Sequence, residues 1–224
     1  MQDHAHVVIL LGPPGAGKGT QSARLSAALG IPAISTGEIL RSECQSGSEL
    51  GREVEAVLAR GELVDDRTMN ELVSRRLREP DCVRGCILDG YPRTLAQARH
   101  LDTLNFAMPR IFDFVVSARD VISRLGGRRY CPECGQTFSK SQVCSKDGSP
   151  LLQRDDDKPA VIRERLRVYR RNMDKLVRFY RTRDYYPIHA TRAPDMVFEE
   201  LLGLLNTCRQ AARNQEMTRS RAYA

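Results

Sequence analysis

The chain has 224 residues, 41% of them apolar and 28% charged, with a formal net charge of +7. That is too apolar for a disordered polymer, and it is long enough for one substantial core with insertions. No run approaches the roughly 18 apolar residues of a membrane span, and no basic stretch precedes an apolar one at the start, so the expectation is a cytoplasmic protein whose positive charge meets polyanions: nucleic acid, a membrane surface or nucleotide phosphates.

In chain order, Val7 to Leu11 is a continuous apolar run stopped by Gly12, which suits a strand buried on both faces of a parallel sheet. Residues Gln21 to Leu29 then read as a helix ended by Gly30. Between Ser35 and Val64 two short helices are expected, around Glu38 to Ser46 and Glu49 to Arg60, punctuated by Gly47 and Gly61. Asp65 or Asp66 caps a helix carrying Met69, Leu72, Val73 and Leu77; Cys86 to Leu88 gives a second strand, and Thr94 to Leu104 another helix.

Ile111 to Val116 is a third strand, followed by a helix with Val121, Ile122 and Leu125 on its apolar side. Strands and helices thus alternate as in a doubly wound α/β sheet. From Arg128 to about Asp157 the chain is rich in Gly, Ser, Lys and Cys without an apolar period, and reads as an inserted excursion. A long helix follows with Ile162, Leu166, Tyr169, Met173, Leu176 and Tyr180 in one stripe, and Arg163, Arg165, Arg167, Arg170 and Arg171 off it. Tyr185 to Ala190 is a last strand, Asp195 to Leu205 a last helix, and Arg209 to Ala224 a polar tail expected to fray.

Gly12-Pro13-Pro14-Gly15-Ala16-Gly17-Lys18-Gly19-Thr20 lies after a strand and before a helix, as a phosphate-binding loop must. Its glycines let backbone N–H groups converge on phosphate oxygens, the helix start adds positive dipole, and Lys18 adds a full charge for the β- and γ-phosphates. Gly19 replaces the usual Ser or Thr after the lysine, with Thr20 one place later, so the hydroxyl ligand for Mg²⁺ is missing from its usual position.

This loop resembles the GxPGxGKGT loop of adenylate kinases and related nucleoside monophosphate kinases. Ser35-Thr36-Gly37-Glu38-Ile39-Leu40-Arg41 resembles that family's STGDMLR segment, in which the threonine meets the adenine of AMP and the arginine its phosphate. Leu88-Asp89-Gly90-Tyr91-Pro92-Arg93-Thr94 resembles LDGFPRT, with tyrosine in place of phenylalanine. The resemblance implies that Asp89 holds Mg²⁺ through water, that Arg93 neutralises transferring phosphate oxygens, and that Gln97 reads adenine through its amide. It extends the AMP side to Glu62, Leu63, Val64, Gly90, Tyr91 and Pro92. On the ATP side it implies Gly15, Ala16, Gly17, Lys18, Gly19, Thr20, Arg124, Arg128, Thr137, Phe138 and Arg192, the last aligned with a lysine in relatives; His189 stands where they have aspartate. Arg154 and Arg165 meet the phosphates from the lid, and with Lys18, Arg93, Arg128 and Asp89 they make up the implied catalytic set.

Seven cysteines, an odd number, argue against a disulfide framework. Cys44, Cys82, Cys86 and Cys208 fall in apolar or helical patterns and read as packed thiols. Cys131-Pro132-Glu133-Cys134 and Cys144-Ser145-Lys146-Asp147 share one spacing and offer three sulfurs and one oxygen, a plausible tetrahedron for structural Zn²⁺. The arrangement resembles the zinc-bearing lid of some long-form adenylate kinases, although the separation of Cys134 from Cys144 is shorter than in most. A metal-free lid is the alternative reading.

The resemblance implies a doubly wound P-loop fold with a core of residues 1–34, 65–125 and 166–224, a helical AMP-binding insertion at 35–64, and a small zinc-ribbon-like lid at 126–165. It implies a Mg-dependent monomer that converts ATP and AMP to two ADP without a nucleic-acid or membrane partner, closing its insertion and lid about hinges at Gly61 and Gly126-Gly127. A UMP or CMP kinase is the nearest rival, but those have a short lid. A zinc-ribbon nucleic-acid-binding ATPase would explain the basic charge, yet Tyr130 and Phe138 are lone aromatics without basic interleaving. A catalytically silent relative would not need Lys18 and the arginines.

Overall fold

The structure is a computed structural model that describes residues 6–104, 106, 109–139 and 141–206; Cys208 and the tail from Arg209 lie outside them. Strand β1 (His6–Leu11) runs into the loop, and α1 (Lys18–Leu29) starts at the lysine itself, earlier than the periodicity suggested. Then come β2 (Ala33–Ser35), α2 (Thr36–Gln45), α3 (Glu49–Ala59), α4 (Asp66–Leu77), β3 (Gly85–Asp89), α5 (Leu95–Asp102), β4 (Arg110–Val115) and α6 (Ala118–Gly126). A small hairpin of β5 (Arg128–Tyr130) and β6 (Thr137–Ser139) precedes α7 (Pro159–Tyr180), β7 (Tyr185–His189) and a helix α8 over 194–206.

Five strands form one sheet in the order β2-β3-β1-β4-β7, and every neighbouring pair is parallel. Val7, Ile9 and Leu11 of β1 enter one core cluster, with side chains of α2, α3, α4, α5 and α7; Val8 and Leu10 enter the other, with α1 and α8. The sheet is therefore covered on both faces, which is why its strands read as unbroken apolar runs. β1 sits between β3 and β4, where the winding reverses, and a parallel sheet leaves a crevice outside the carboxyl ends of its strands at that point.

Asp65, not Asp66, caps α4, accepting from the Thr68 N–H at 3.0 Å. β2 was not expected: three residues are too few to display a period, and only pairing with β3 makes them a strand. α5 stops at Asp102, two residues short of the expected Leu104. Ile122 is 45% exposed, because α6 buries the i, i+4 pair Val121 and Leu125 and leaves Ile122 beside that face. Cys82 and Cys86 are packed thiols, and burial raises them to about 11 and about 12.

α7 is a rod joining two regions. Ile162 and Leu166 pack on Val121 and Leu125 of α6, while Met173, Leu176 and Tyr180 lie in the main core, each such burial contributing ~1.5–3 kcal/mol. Above it, β5 pairs antiparallel with β6, and a cluster of only Cys131, Cys144 and Leu151, with Cys134 and Phe138 against it, serves as that region's core.

Candidate functional site

The loop between β1 and α1 is held open by backbone geometry. Gly12, Gly15 and Gly17 have φ of 131°, 74° and 96°, and a Cβ at Gly15 would stand 2.7 Å from Leu125 Cγ, so α6 packs directly on the loop. Lys18 Nζ donates to the Gly12 carbonyl at 2.9 Å and to the Pro13 carbonyl at 2.8 Å. Burial lowers Lys18 to about 8, against the pull of Asp89 and with help from Arg93, Arg165 and Arg128. Those causes map the neighbourhood, since four groups from distant stretches of chain act on one ammonium.

β3 ends in Asp89, whose Oδ2 lies 3.4 Å from where a Cβ at Gly19 would stand, over the first turn of α1. Arg93 Nε donates to the Gly90 carbonyl at 2.8 Å, and its Nη2 lies 3.5 Å from Thr36 Oγ1. Thr36 Oγ1 donates to the Gly90 carbonyl at 3.0 Å, tying the start of α2 to the end of β3. Burial lowers Arg93 to about 10, followed by repulsion from Arg165 and, more weakly, Arg41.

Arg128, which opens the hairpin, and Arg165 on α7 are gripped by acids. Arg128 donates twice to Asp157, Nε to Oδ2 at 2.7 Å and Nη2 to Oδ1 at 2.5 Å, and Asp157 is fully buried. Arg165 Nη1 donates to the Asp156 carbonyl at 3.0 Å and carboxylate at 2.8 Å, with Asp157 Oδ1 at 3.5 Å. Arg154 Nη2 donates to Thr137 Oγ1 at 3.2 Å, and its Nε is buried without a partner among the described residues. Burial, then the charges of Arg41 and Arg128, lower Arg154 to about 10. An unpaired buried guanidinium nitrogen facing like charges is poised for an anion.

Not every expected side chain faces this ring. Tyr91 is fully buried and donates from its hydroxyl to Asn70 Oδ1 at 2.7 Å, and Pro92 is also buried. Gln97 Oε1 accepts from the Arg93 N–H at 2.7 Å while its Nε2 donates to Asp66 at 2.8 Å. Val64 is buried, Leu63 half-buried, and Glu62 is exposed and paired with Arg60. Arg124 bridges the loop and the β7–α8 turn, donating to the Ala16 and Ala190 carbonyls, and Arg192 on that turn donates to the His189 carbonyl and pairs with Glu200. Phe138 packs on the small cluster and Thr137 is exposed. Sequence reasoning missed Asp66, Asp156 and Asp157; the signal was the acidic run that directly follows Arg154.

Cys131, Cys134, Cys144 and Asp147 offer four ligand atoms within 4.8 Å of one another. Cys134 Sγ and Cys144 Sγ are 3.7 Å apart, and Cys131 Sγ lies 3.4 and 3.6 Å from the Asp147 oxygens. Tetrahedral Zn²⁺ with bonds of ~2.3 Å to sulfur and ~2.0 Å to oxygen requires edges of ~3.8 Å and ~3.5 Å. The donor set fits. Backbone N–H groups of Cys134 and Lys146 point at Cys131 and Cys144 sulfur, each at 3.4 Å, as thiolates require, and hydrogen bonds from Ser149 hold Asp147 well below the usual carboxylate range.

Comparison with known proteins agrees with this geometry. The family model described as adenylate kinase matches residues 10–185. The chain is 42% identical over 210 residues to an adenylate kinase of Archaeoglobus fulgidus, covering 88% of this chain and 97% of that one. It is 45% identical over 188 residues to one of Anaeromyxobacter sp., covering 79% and 88%, and 41% identical over 213 residues to one of Thermosipho melanesiensis, covering 88% and 98%. A phosphate loop at the sheet's switch point, a ring of guanidinium groups around it and these relatives together show that the chain belongs to the adenylate kinase family, phosphotransferases that convert ATP and AMP to two ADP.

Proposed function

We propose that Lys18, Arg93, Arg128, Arg154 and Arg165 are the groups that meet the phosphoryl group in transit, with the ATP phosphates on the loop Gly15–Thr20 and the AMP phosphate toward Arg41. The single observation behind this reading is that Asp89, Arg93, Arg128 and Arg165 all act on the buried Lys18 ammonium, with Arg154 joined to them through Arg128 and Arg41. Phosphoryl transfer asks little covalent chemistry of a protein and much charge neutralisation and alignment, which a fixed set of guanidinium donors supplies.

The Asp89 carboxylate, a hard oxygen donor over the start of α1, fits a Mg²⁺ ion held through water. Such an ion would supply positive charge that stabilises phosphate oxygens. Adenine of AMP would lie by Thr36 and Gln97, whose amide keeps one N–H and one lone pair after serving Asp66 and Arg93. The backbones of Gly90, Tyr91 and Pro92 and residues 62–64 would border it. Adenine of ATP would lie by Arg124 and Arg192, with Thr137 and Phe138 approaching from the lid.

In this reading residues 35–64 are the acceptor insertion and 126–165 the lid, and their closure excludes water so that the γ-phosphoryl group meets AMP. Zn²⁺ held by Cys131, Cys134, Cys144 and Asp147 gives the lid its order. The family resemblance alone supports a cytoplasmic monomer acting on small nucleotides without a nucleic-acid or membrane partner; among the described residues no helix is long and apolar enough to cross a membrane. A coupled assay of ADP formation from ATP with AMP, CMP, UMP or GMP in Mg²⁺ tests the assignment. AMP is the expected acceptor, and preference for CMP or UMP would overturn it.

A further inference from the structure

Gly61 closes α3 with a φ of 74°, its N–H donating to the Leu58 carbonyl at 2.9 Å. A Cβ there would stand 3.0 Å from both the carbonyl oxygen and Cγ1 of Val161 and 3.1 Å from Arg165 Cγ, inside the 3.4–4 Å of ordinary contact. The end of the 35–64 segment therefore rests on the first turns of α7 with no room for a methyl group, and one wall of that seat is the aliphatic stem of Arg165.

Arg165 is thus held at both ends. Asp156 and Asp157 fix its guanidinium, and the backbone at 61 lies against its stem. A long side chain clamped at head and stem keeps few of its rotamers, so its donors stay aimed. If the 35–64 segment moves away, the stem loses that wall.

We propose that Gly61 is a positioning residue for phosphoryl transfer: its bare backbone is the seat through which closure of the 35–64 segment sets Arg165 against the phosphates. The proposal rests on the functional reading above, in which that segment closes on AMP and Arg165 meets phosphate.

Gly61→Ala tests it beside Gly47→Ala, because Gly47 has a φ of 69° in the same segment but open space around its Cβ position. Both variants carry the same left-handed strain, so both lower the melting temperature. Gly61→Ala alone is expected to lose about tenfold or more in kcat at saturating ATP and AMP. Its Kd for ATP without AMP stays within about twofold of the parent. Val161→Ile crowds the same seat while leaving residue 61 a glycine, and lowers kcat in the same direction even where Gly61→Ala folds poorly. Unchanged kcat in both seat variants, an equal loss in Gly47→Ala, or ATP affinity falling in step with kcat would overturn the proposal. The parent chain, run alongside, reports separately whether ATP and AMP are the substrates.

Discussion

Asp157→Asn removes the charge of the most deeply buried carboxylate among the ion pairs of the described residues while keeping the shape of the side chain. Asp157 is fully buried, accepts both bonds of Arg128 at 2.7 and 2.5 Å, and lies 3.5 Å from Arg165. Asparagine would offer Arg128 one acceptor and one repelling NH₂ group. Removing one partner of a buried pair destabilises by ~3–5 kcal/mol, and the residual 19% exposure of Arg128 argues for the lower end. For a chain of this length ~3 kcal/mol corresponds to a Tm lower by ~6–12 °C, at ~2–4 °C per kcal/mol. Calorimetry reads the drop, and ADP formation reads the loss of aim in Arg128 and Arg165. Nucleotide phosphates would replace part of the missing charge, so ATP should raise Tm more in the variant than in the parent. A Tm within about 2 °C of the parent would refute the claim that this carboxylate sets the two arginines, being below any cost assigned to a broken buried pair.

Metal analysis of the purified chain should find one zinc, with three sulfurs and one oxygen by X-ray absorption, and Cys131→Ser or chelation should raise hydrogen exchange across residues 128–157 while the sheet stays protected; equal protection with and without metal would contradict this. Burial lowers Lys18 to about 8, and phosphates favour its charged form, so ATP binding should take up a proton between about pH 8 and 9 and weaken as pH rises through that range. Because that value lies below the ordinary 10.5, the cost of the buried ammonium is present in full below pH 8 and fades as pH climbs toward 10.5. Calorimetric binding in two buffers of different ionisation enthalpy checks the uptake, and a buffer-independent enthalpy at pH 8.5 would count against it. Tyr91→Phe should leave the KM for AMP within about twofold, since the ring lies in the core. The bond lost to Asn70 costs ~1–2 kcal/mol, a Tm drop of ~2–8 °C.

The sequence displayed what is local and periodic. A strand buried on both faces, a glycine loop and a helix appear as β1, the loop and α1 because each is specified within a dozen neighbouring residues. β2 was invisible because pairing with β3, and not its own three residues, makes it a strand. Ile122 was misplaced because one turn of ambiguity in a short helix cannot say which apolar residue the neighbouring helix will cover. The arginines were legible as types at spacings that resemble a family, whereas their partners were not. Asp157 has no motif of its own, and its part follows only from a 3-10 turn that aims it beneath Arg128. Tyr91 matched a motif position yet points away from the crevice, because a motif records that a residue is required without saying which of its atoms are.

Six cations, Lys18, Arg41, Arg93, Arg128, Arg154 and Arg165, form one chain of neighbouring like charges here, against the carboxylates Asp89, Asp156 and Asp157. The acids compensate half of the charge, and they do so unevenly. Arg128 and Arg165 are held by carboxylates, while Lys18 rests on carbonyls and Arg154 keeps a buried nitrogen unpaired. The lowered values of Lys18, Arg93, Arg154 and Arg165 all point the same way: burial and mutual repulsion disfavour these charges, and an incoming phosphate relieves both. Folding has already met the cost of bringing these charges together, and closure of the insertion and lid then needs only to complete their alignment on the phosphates. Carboxylates that fix two of the arginines hold their guanidinium groups in one orientation.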